Sequence, residues 1–303
     1  MRSAPLAIAL MMLGAAVVAQ QPPTTRPPTF HSNVNLTTVT ATVVDKSGAL
    51  VTGLPREAFQ VFEDGDPQEI TQFTNERVPV SLALLVDVSD SMYGQRIRDA
   101  REAIEHFVAD LLELGDEYAI VAFNHRQQVL TSWTTDAAVA TPLMEPLKPF
   151  GSTAIYDAIV ASLPLGESRT RQRLAVLVIS DGADTASDHS LAQARETLRR
   201  SDAFVYAIAI DSAADKRVST KVNPEALREI TGPSGGYTEV VRTYEDLGPA
   251  TQRIAEELNS QYTLGYAAVR PQDGSWRSIR VRVKNRDYIA RSRRGYFAAV
   301  PRT

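Results

Sequence analysis

The sequence predicts an α/β protein: a doubly wound, mostly parallel sheet inserted in a small antiparallel β domain that the N- and C-terminal segments form together. Three observations carry this. Between residues 79 and 261, apolar runs of strand length alternate with segments of helical period, and strands separated by helices assemble into a parallel sheet. The runs LALLV (82–86) and RLAVLVIS (173–180) are apolar enough for strands covered on both faces. Near both ends of the chain, by contrast, apolar and polar residues alternate with a period of two, as in half-buried antiparallel strands.

Taken in order, Val39, Ala41 and Val43 alternate with Thr38, Thr40 and Thr42, and DKSG (45–48) is a turn. A strand at 59–63 meets the hairpin turn Asp64-Gly65 and a further strand at 68–73. So few strands do not close a stable domain alone. Partners lie at the far end, at 262–269, at 276–283 (WRSIRVRV) and at 287–297. A basic alternating hairpin can serve a nucleic acid, but it reads better as the solvated face of an antiparallel sheet. In the centre, a helix at 94–114 sets Ile97, Ala100, Ile104, Phe107, Val108 and Leu111 on one face. Strands follow at 117–123 and, antiparallel at an edge, 129–133. Beyond them the pattern gives helices at 154–163, 191–200, 224–230 and 244–260, and strands at 173–180, 203–210 and 237–241.

Composition bounds the function. A chain of 303 residues, 44% hydrophobic, buries one large core or two modest ones. Its net charge of -4 is spread without a basic block, which argues against a dedicated nucleic-acid surface. The absence of cysteine excludes disulfides, thiolate zinc sites, iron–sulfur clusters and thiol nucleophiles. Residues 1–19 combine an early charge (Arg2), an apolar run over 6–18 and small residues before Gln20, the layout of a secretory signal peptide cleaved after Ala19. The run is short of the ~20 residues of a membrane span. A proline- and threonine-rich linker at 20–32 follows. The expected organisation is therefore signal peptide (1–19), linker (20–32), β domain (33–78 and 262–303) and inserted α/β domain (79–261). The expected location is periplasmic or extracellular, with no transmembrane anchor after cleavage.

Asp87, Ser89 and Ser91 stand at every second position where the first central strand ends, so an extended backbone points all three the same way. Gly151-Ser152-Thr153 and Ser180-Asp181-Gly182 also fall at strand ends or in the loops beside them. Here the chain resembles the von Willebrand factor type A domain with its metal-ion-dependent adhesion site. That family's Asp-x-Ser-x-Ser loop matches Asp87, Ser89 and Ser91, its threonine loop matches Thr153 in GSTAIYDAI, and its acidic strand end matches Asp181 in VISDGAD. Position 90, usually glycine in the family, is Asp90, whose side chain should point away from the metal. The flanking segments VVDKSGALVTGLPREAFQVFEDG and SQYTLGY…RRGYF look like those of exported bacterial type A proteins named for the acidobacteria. The resemblance implies a Rossmann-like type A fold, direct metal ligation by the serines and threonine, and aspartates that often act through water. It also implies a last helix that shifts in some members when the metal takes a ligand.

The chemistry agrees on its own terms. Two carboxylates, Asp87 and Asp181, balance one divalent cation, while Ser89, Ser91 and Thr153 add neutral hard oxygens. With no nitrogen or sulfur donor, Mg²⁺ is expected, with Mn²⁺ or Ca²⁺ as alternatives. Mg²⁺ keeps waters readily, which leaves a coordination position open near Ser91 and Thr153 for an Asp or Glu of a partner protein. Taken alone, each segment has a plainer reading as a polar loop, a helix N-cap or a turn; the three in order favour the metal. Enzyme readings fare worse. An aspartyl-phosphate enzyme wants Asp-x-Asp, and no Gly-x-Ser-x-Gly elbow or phosphate-binding loop is present. His125 reads as a solvated loop residue, and a metal-assisted hydrolase lacks a general base. The expected function is an exported, Mg²⁺-dependent protein-binding module without catalytic residues. A structural or assembly module of the cell envelope that uses the metal little is the alternative, and a metal-assisted hydrolase the minor one.

Overall fold

The computed structural model describes residues 36–211, 222–268 and 270–298. The expected signal peptide (1–19) and linker (20–32) lie outside the described residues. The chain opens with β1 (Leu36–Asp45), β2 (Phe59–Glu63), β3 (Asp66–Gln68) and β4 (Ile70–Thr74). The central region follows with β5 (Val80–Asp87), α1 (Gln95–His106), β6 (Glu117–Phe123), β7 (Gln127–Thr134), α2 (Ala140–Met144) and α3 (Ile155–Ser162). It continues with β8 (Arg173–Ser180), α4 (Leu191–Arg199), β9 (Phe204–Ile210), α5 (Pro224–Ser234), β10 (Thr238–Val241) and α6 (Tyr244–Asn259). The chain returns through β11 (Tyr262–Ala267), β12 (Trp276–Val283), β13 (Tyr288–Ser292) and β14 (Gly295–Phe297).

Every residue of β5 is buried, because helices cover both faces of its sheet. Leu82, Leu84 and Val86 pack on one side with Ile104 and Phe107 of the first helical segment and Ile254 of α6. Ala83 and Leu85 turn to the other, against Ile155 and Ile159 of α3, Leu198 of α4 and Leu227 of α5. Burying each such leucine stabilises the fold by ~1.5–3 kcal/mol. The sheet order is β10-β9-β8-β5-β6-β7, parallel except for β7, which runs antiparallel to β6 at the edge. From β5 the chain first builds outward through β6 and β7, then crosses to lay β8, β9 and β10 on the other side. The carboxyl ends of β5 and β8 flank that reversal, which is where open α/β sheets form a ligand crevice.

The remaining strands form a sandwich of two antiparallel sheets, β13-β1-β11-β4 and β14-β12-β2-β3. Val39, Ala41, Val43, Leu264 and Tyr266 on one face Phe59, Val61, Ile279 and Val281 on the other. Each sheet takes strands from both ends of the sequence. Asp64 (φ 48) and Gly65 (φ 92) provide the two positive-φ positions of the tight hairpin between β2 and β3. Two expected strands divide. The stretch 68–73 breaks at Glu69, so that β3 stays beside β2 while β4 crosses to β11. Likewise 287–297 breaks into β13, beside β1, and β14, beside β12. The expected helix 94–114 ends at His106 and continues as a π-helical turn, Phe107–Leu111, which buries Phe107 and Val108.

Polar side chains join the inserted region to the sandwich. Glu257 of α6 accepts hydrogen bonds from Thr42 Oγ1 of β1 (3.2 Å), Tyr206 Oη of β9 (3.1 Å) and the Arg291 guanidinium of β13. Gln261 Nε2 donates to Tyr206 Oη at 3.0 Å and to Thr42 Oγ1 at 3.3 Å. Arg173 donates to the carbonyls of Val78 (2.7 Å) and Leu258 (2.9 Å), tying the two crossings together.

Candidate metal centre

Asp87 is the last residue of β5 and Asp181 the first beyond β8, so two parallel neighbours deliver both carboxylates to the same crevice. Both are fully buried, as is Ser89, while Thr153 is 3% and Ser91 5% exposed. Asp87 Oδ1 accepts the Ser89 N–H at 2.8 Å and its Oδ2 accepts Ser180 Oγ at 2.7 Å. Burial pushes the Asp87 carboxyl up to about 7 against those hydrogen bonds, and the neighbouring Asp181 charge pushes the same way. Ser89 Oγ and Ser91 Oγ stand 3.0 Å apart, but the strand ends at Asp87 and a short helical turn over Asp90–Met92, not an extended backbone, brings the two hydroxyls together.

Thr153 is tied by its backbone to the loop that follows Asp181. Its N–H donates to Thr185 Oγ1 (3.0 Å) and its carbonyl accepts from the N–H groups of Thr185 (2.8 Å) and Ala186 (2.9 Å), fixing it to the loop after Asp181. On the other side, Asp90 N–H donates to Gly151 O and Phe150 N–H to Val88 O, both at 2.9 Å. No described hydrogen bond joins Thr153 Oγ1 to the other four residues. Neither Ser152 nor Thr153 caps α3: Asp184 Oδ1 accepts from Ile155 N–H (2.8 Å), and Ser187 Oγ from Tyr156 N–H (3.1 Å). Asp90 is exposed, and Asp64 is the one described non-glycine residue with positive φ, so position 90 needs no glycine backbone. His125 is an exposed rim residue, its ring edge-on to Phe150 at 6.0 Å.

Two participants had no role assigned from the sequence. Ser180 braces the strand end, donating to Asp87 and accepting Gly182 N–H at 3.0 Å. Arg96 of α1, 3% exposed, donates through Nη1 to Asp181 Oδ2 at 2.9 Å and to the Ser91 carbonyl at 3.1 Å. A signal was available, because Arg96 lies one helical turn from Ala100 and two from Ala103, on the buried stripe of α1. A cation on that stripe requires an anion inside. Among the described residues no three His, Asp or Glu side chains gather into a metal cluster, so the candidate rests on two carboxylates and their hydroxyls.

The match to a family model decides what this crevice belongs to: residues 82–183 match the von Willebrand factor type A domain. The inserted region is a type A domain. Inter-alpha-trypsin inhibitor heavy chain H2 from Mus musculus is 24% identical over 136 residues, covering 41% of this chain and 14% of that protein. The chain thus spans a small part of the curated relatives it matches first. A UPF0353 protein from Nocardia farcinica is 26% identical over 231 residues, 64% of this chain and 68% of that protein. Among solved structures, an aerotolerance-related membrane protein from Bacteroides fragilis superposes with a TM-score of 0.51 at 22% identity, over 59% of this chain and 98% of that one. A von Willebrand factor type A protein from Catenulispora acidiphila gives 0.53 at 14% identity, over 84% of this chain and 71% of that one. These likenesses establish the type A fold. Among the described residues, no helix is long and apolar enough to cross a membrane.

Proposed function

We propose that this protein is an exported type A module that binds a protein partner through Mg²⁺ held by Asp87, Ser89, Ser91, Thr153 and Asp181. The observation that carries the reading is the pair of fully buried carboxylates beside two hydroxyls 3.0 Å apart. That separation is an ordinary hydroxyl–hydroxyl hydrogen bond, and it suits neighbouring positions in the oxygen shell of a hard cation. The donors are all hard oxygens, so the residues fit a divalent cation. When bound, the ion supplies a Lewis-acidic position for an Asp or Glu of the partner. Exposed Tyr93 (54%) and Phe150 (58%), on the loops that carry Ser91 and Thr153, supply apolar contact area around it.

Titration calorimetry with Mg²⁺ and Mn²⁺ tests the ion: wild type binds one equivalent and Asp87→Ala does not, with unchanged circular dichroism. Crosslinking of partners from the exported fraction, with and without EDTA, tests the bridge. The same partners in both samples overturn it. One observation favours a second reading. The Arg96 guanidinium already gives Asp181 a counter-charge, as an assembly module that works without metal would need. Metal-insensitive partner binding selects that reading.

A further inference from the structure

The basic hairpin singled out in the sequence has no part in the metal centre. Residues 276–294 carry eight Lys and Arg against one Asp, in a chain whose net charge is -4. In the fold this segment borders a groove of about 600 Å³ where β12 and β13 part company. Arg280 and Arg282 on one wall and Arg294 at its end line the groove, and none of the three makes an ion pair with a described residue.

The groove also contains an open strand edge. β14 pairs with β12 only at residues 276–278, and the Ile279 N–H to Arg294 carbonyl bond (2.8 Å) is the last rung. Beyond it β13 swings to the other sheet to pair with β1. On the opposite side β12 is paired with β2 along residues 279–283. In an antiparallel strand, alternate residues turn their N–H and C=O to the same side, so Val281 presents its pair where Ile279 does, into the groove. Arg280 and Arg282, two residues apart, share the outer face of the sheet.

We propose that this groove binds an extended acidic peptide, added as a strand to the open edge of β12, with alternate carboxylates meeting Arg280, Arg282 and Arg294. The backbone edge selects a peptide over other polyanions, since only a peptide supplies matching N–H and C=O groups at strand spacing. Opposed residues of paired strands project on the same face, which brings Glu or Asp at every second peptide position to Arg280 and Arg282. This surface is independent of the metal centre.

The test is fluorescence polarisation of the full chain in EDTA. The probe is a labelled peptide of about eight residues in which Glu alternates with Val, long enough to span the edge at ~3.4 Å per residue. The alternating peptide binds. Replacing Glu by Lys, or Val by Pro to remove strand N–H groups, weakens it about tenfold or more, as do R280E/R282E and, on the other side, R294E. Equal binding of the proline peptide overturns the strand addition, and tighter binding of heparin or oligothymidylate overturns the choice of partner. Dependence on Mg²⁺ assigns the peptide to the Asp87 site instead. Absence of binding by every probe means that the arginines merely guard the edge against aggregation.

Discussion

Arg96 holds the most consequential contact at the scale of single residues. Its guanidinium and the Asp181 carboxylate are both almost wholly removed from water, 3% and 0% exposed. Removing one member of a buried pair weakens the compensation of the other charge, at a cost of up to about 3–5 kcal/mol. Arg96→Gln should therefore lose stability in EDTA, by an amount within that bound. If the metal sits beside Asp181, saturating Mg²⁺ restores most of the loss, and the variant gains more from Mg²⁺ than wild type does. Urea denaturation in both conditions measures this, and a variant indifferent to Mg²⁺ removes the ion from Asp181. Gly182 is a second lever. Its φ of +81 and the 2.5 Å that would separate an added Cβ from the Asn223 carbonyl leave no room for alanine. Gly182→Ala should cost about 1–3 kcal/mol and weaken Mn²⁺ binding in calorimetry, because the Asp181 carbonyl accepts the Asn223 N–H at 2.9 Å across the same contact. Asp87 and Asp181 were legible from the sequence because each stands where an apolar strand ends, whereas Ser91 approaches Ser89 through a helical turn that a strand's period of two does not describe. The partner of Arg96 was not legible, because it lies 85 positions away, on β8's exit loop.

Among the elements, β6 shows how a strand start is fixed by one carboxylate. Glu117 accepts Ser81 Oγ of β5 at 2.6 Å, and Thr170 N–H and Oγ1 of the loop before β8 at 2.7 and 2.6 Å. Burial pushes its carboxyl up, but the hydrogen bonds outweigh it and hold the group below its ordinary value of 4.5. The unfolded chain then binds the proton more readily than the folded one. This stabilisation is fully present above pH 4.5 and is lost as pH falls through the lower folded value. Glu117→Gln should cost about 2 kcal/mol at pH 7 and show a shallower acid-side decline than wild type. Stability curves from urea midpoints between pH 3 and about 7 check it, and parallel slopes would sink the assignment. Element type was largely readable, since β6, β8 and β12 fall where the periodicity puts them. The corners at Glu69 and between β13 and β14 were not. A strand that changes sheets keeps its alternation, and only the identity of its new neighbour reveals the bend. The end of α1 was hidden similarly, because a π-helical turn preserves the apolar composition and alters only the winding.

For the molecule as a whole, the question is whether the type A domain and the sandwich unfold together. The chain crosses between them twice, and Glu257, Gln261 and Arg173 bind the crossings to strands of both parts. Glu257 is 2% exposed and burial raises its carboxyl above the usual range, with Arg291 as the charge that opposes the rise. Its two tryptophans make the coupling measurable: Trp133 lies in β7 of the type A domain and Trp276 in β12 of the sandwich. Single-tryptophan variants, each with the other replaced by Phe, should give coincident fluorescence midpoints in urea. Arg291→Ala should then separate them and lower stability by about 2 kcal/mol, less than a fully buried pair loses because the Arg291 side chain is 27% exposed. The sign of its pH dependence follows from Glu257. A carboxyl raised above 4.5 in the folded state is protonated there first, so stability falls as pH rises from 4.5 through the folded value and recovers on acidification across that window. Without Arg291 the rise is larger, so the variant should regain more stability than wild type as pH is lowered towards 4.5. Midpoints that stay coincident at every pH would show that the two parts cohere through their backbone crossings alone, and that the Glu257 cluster is not the joint.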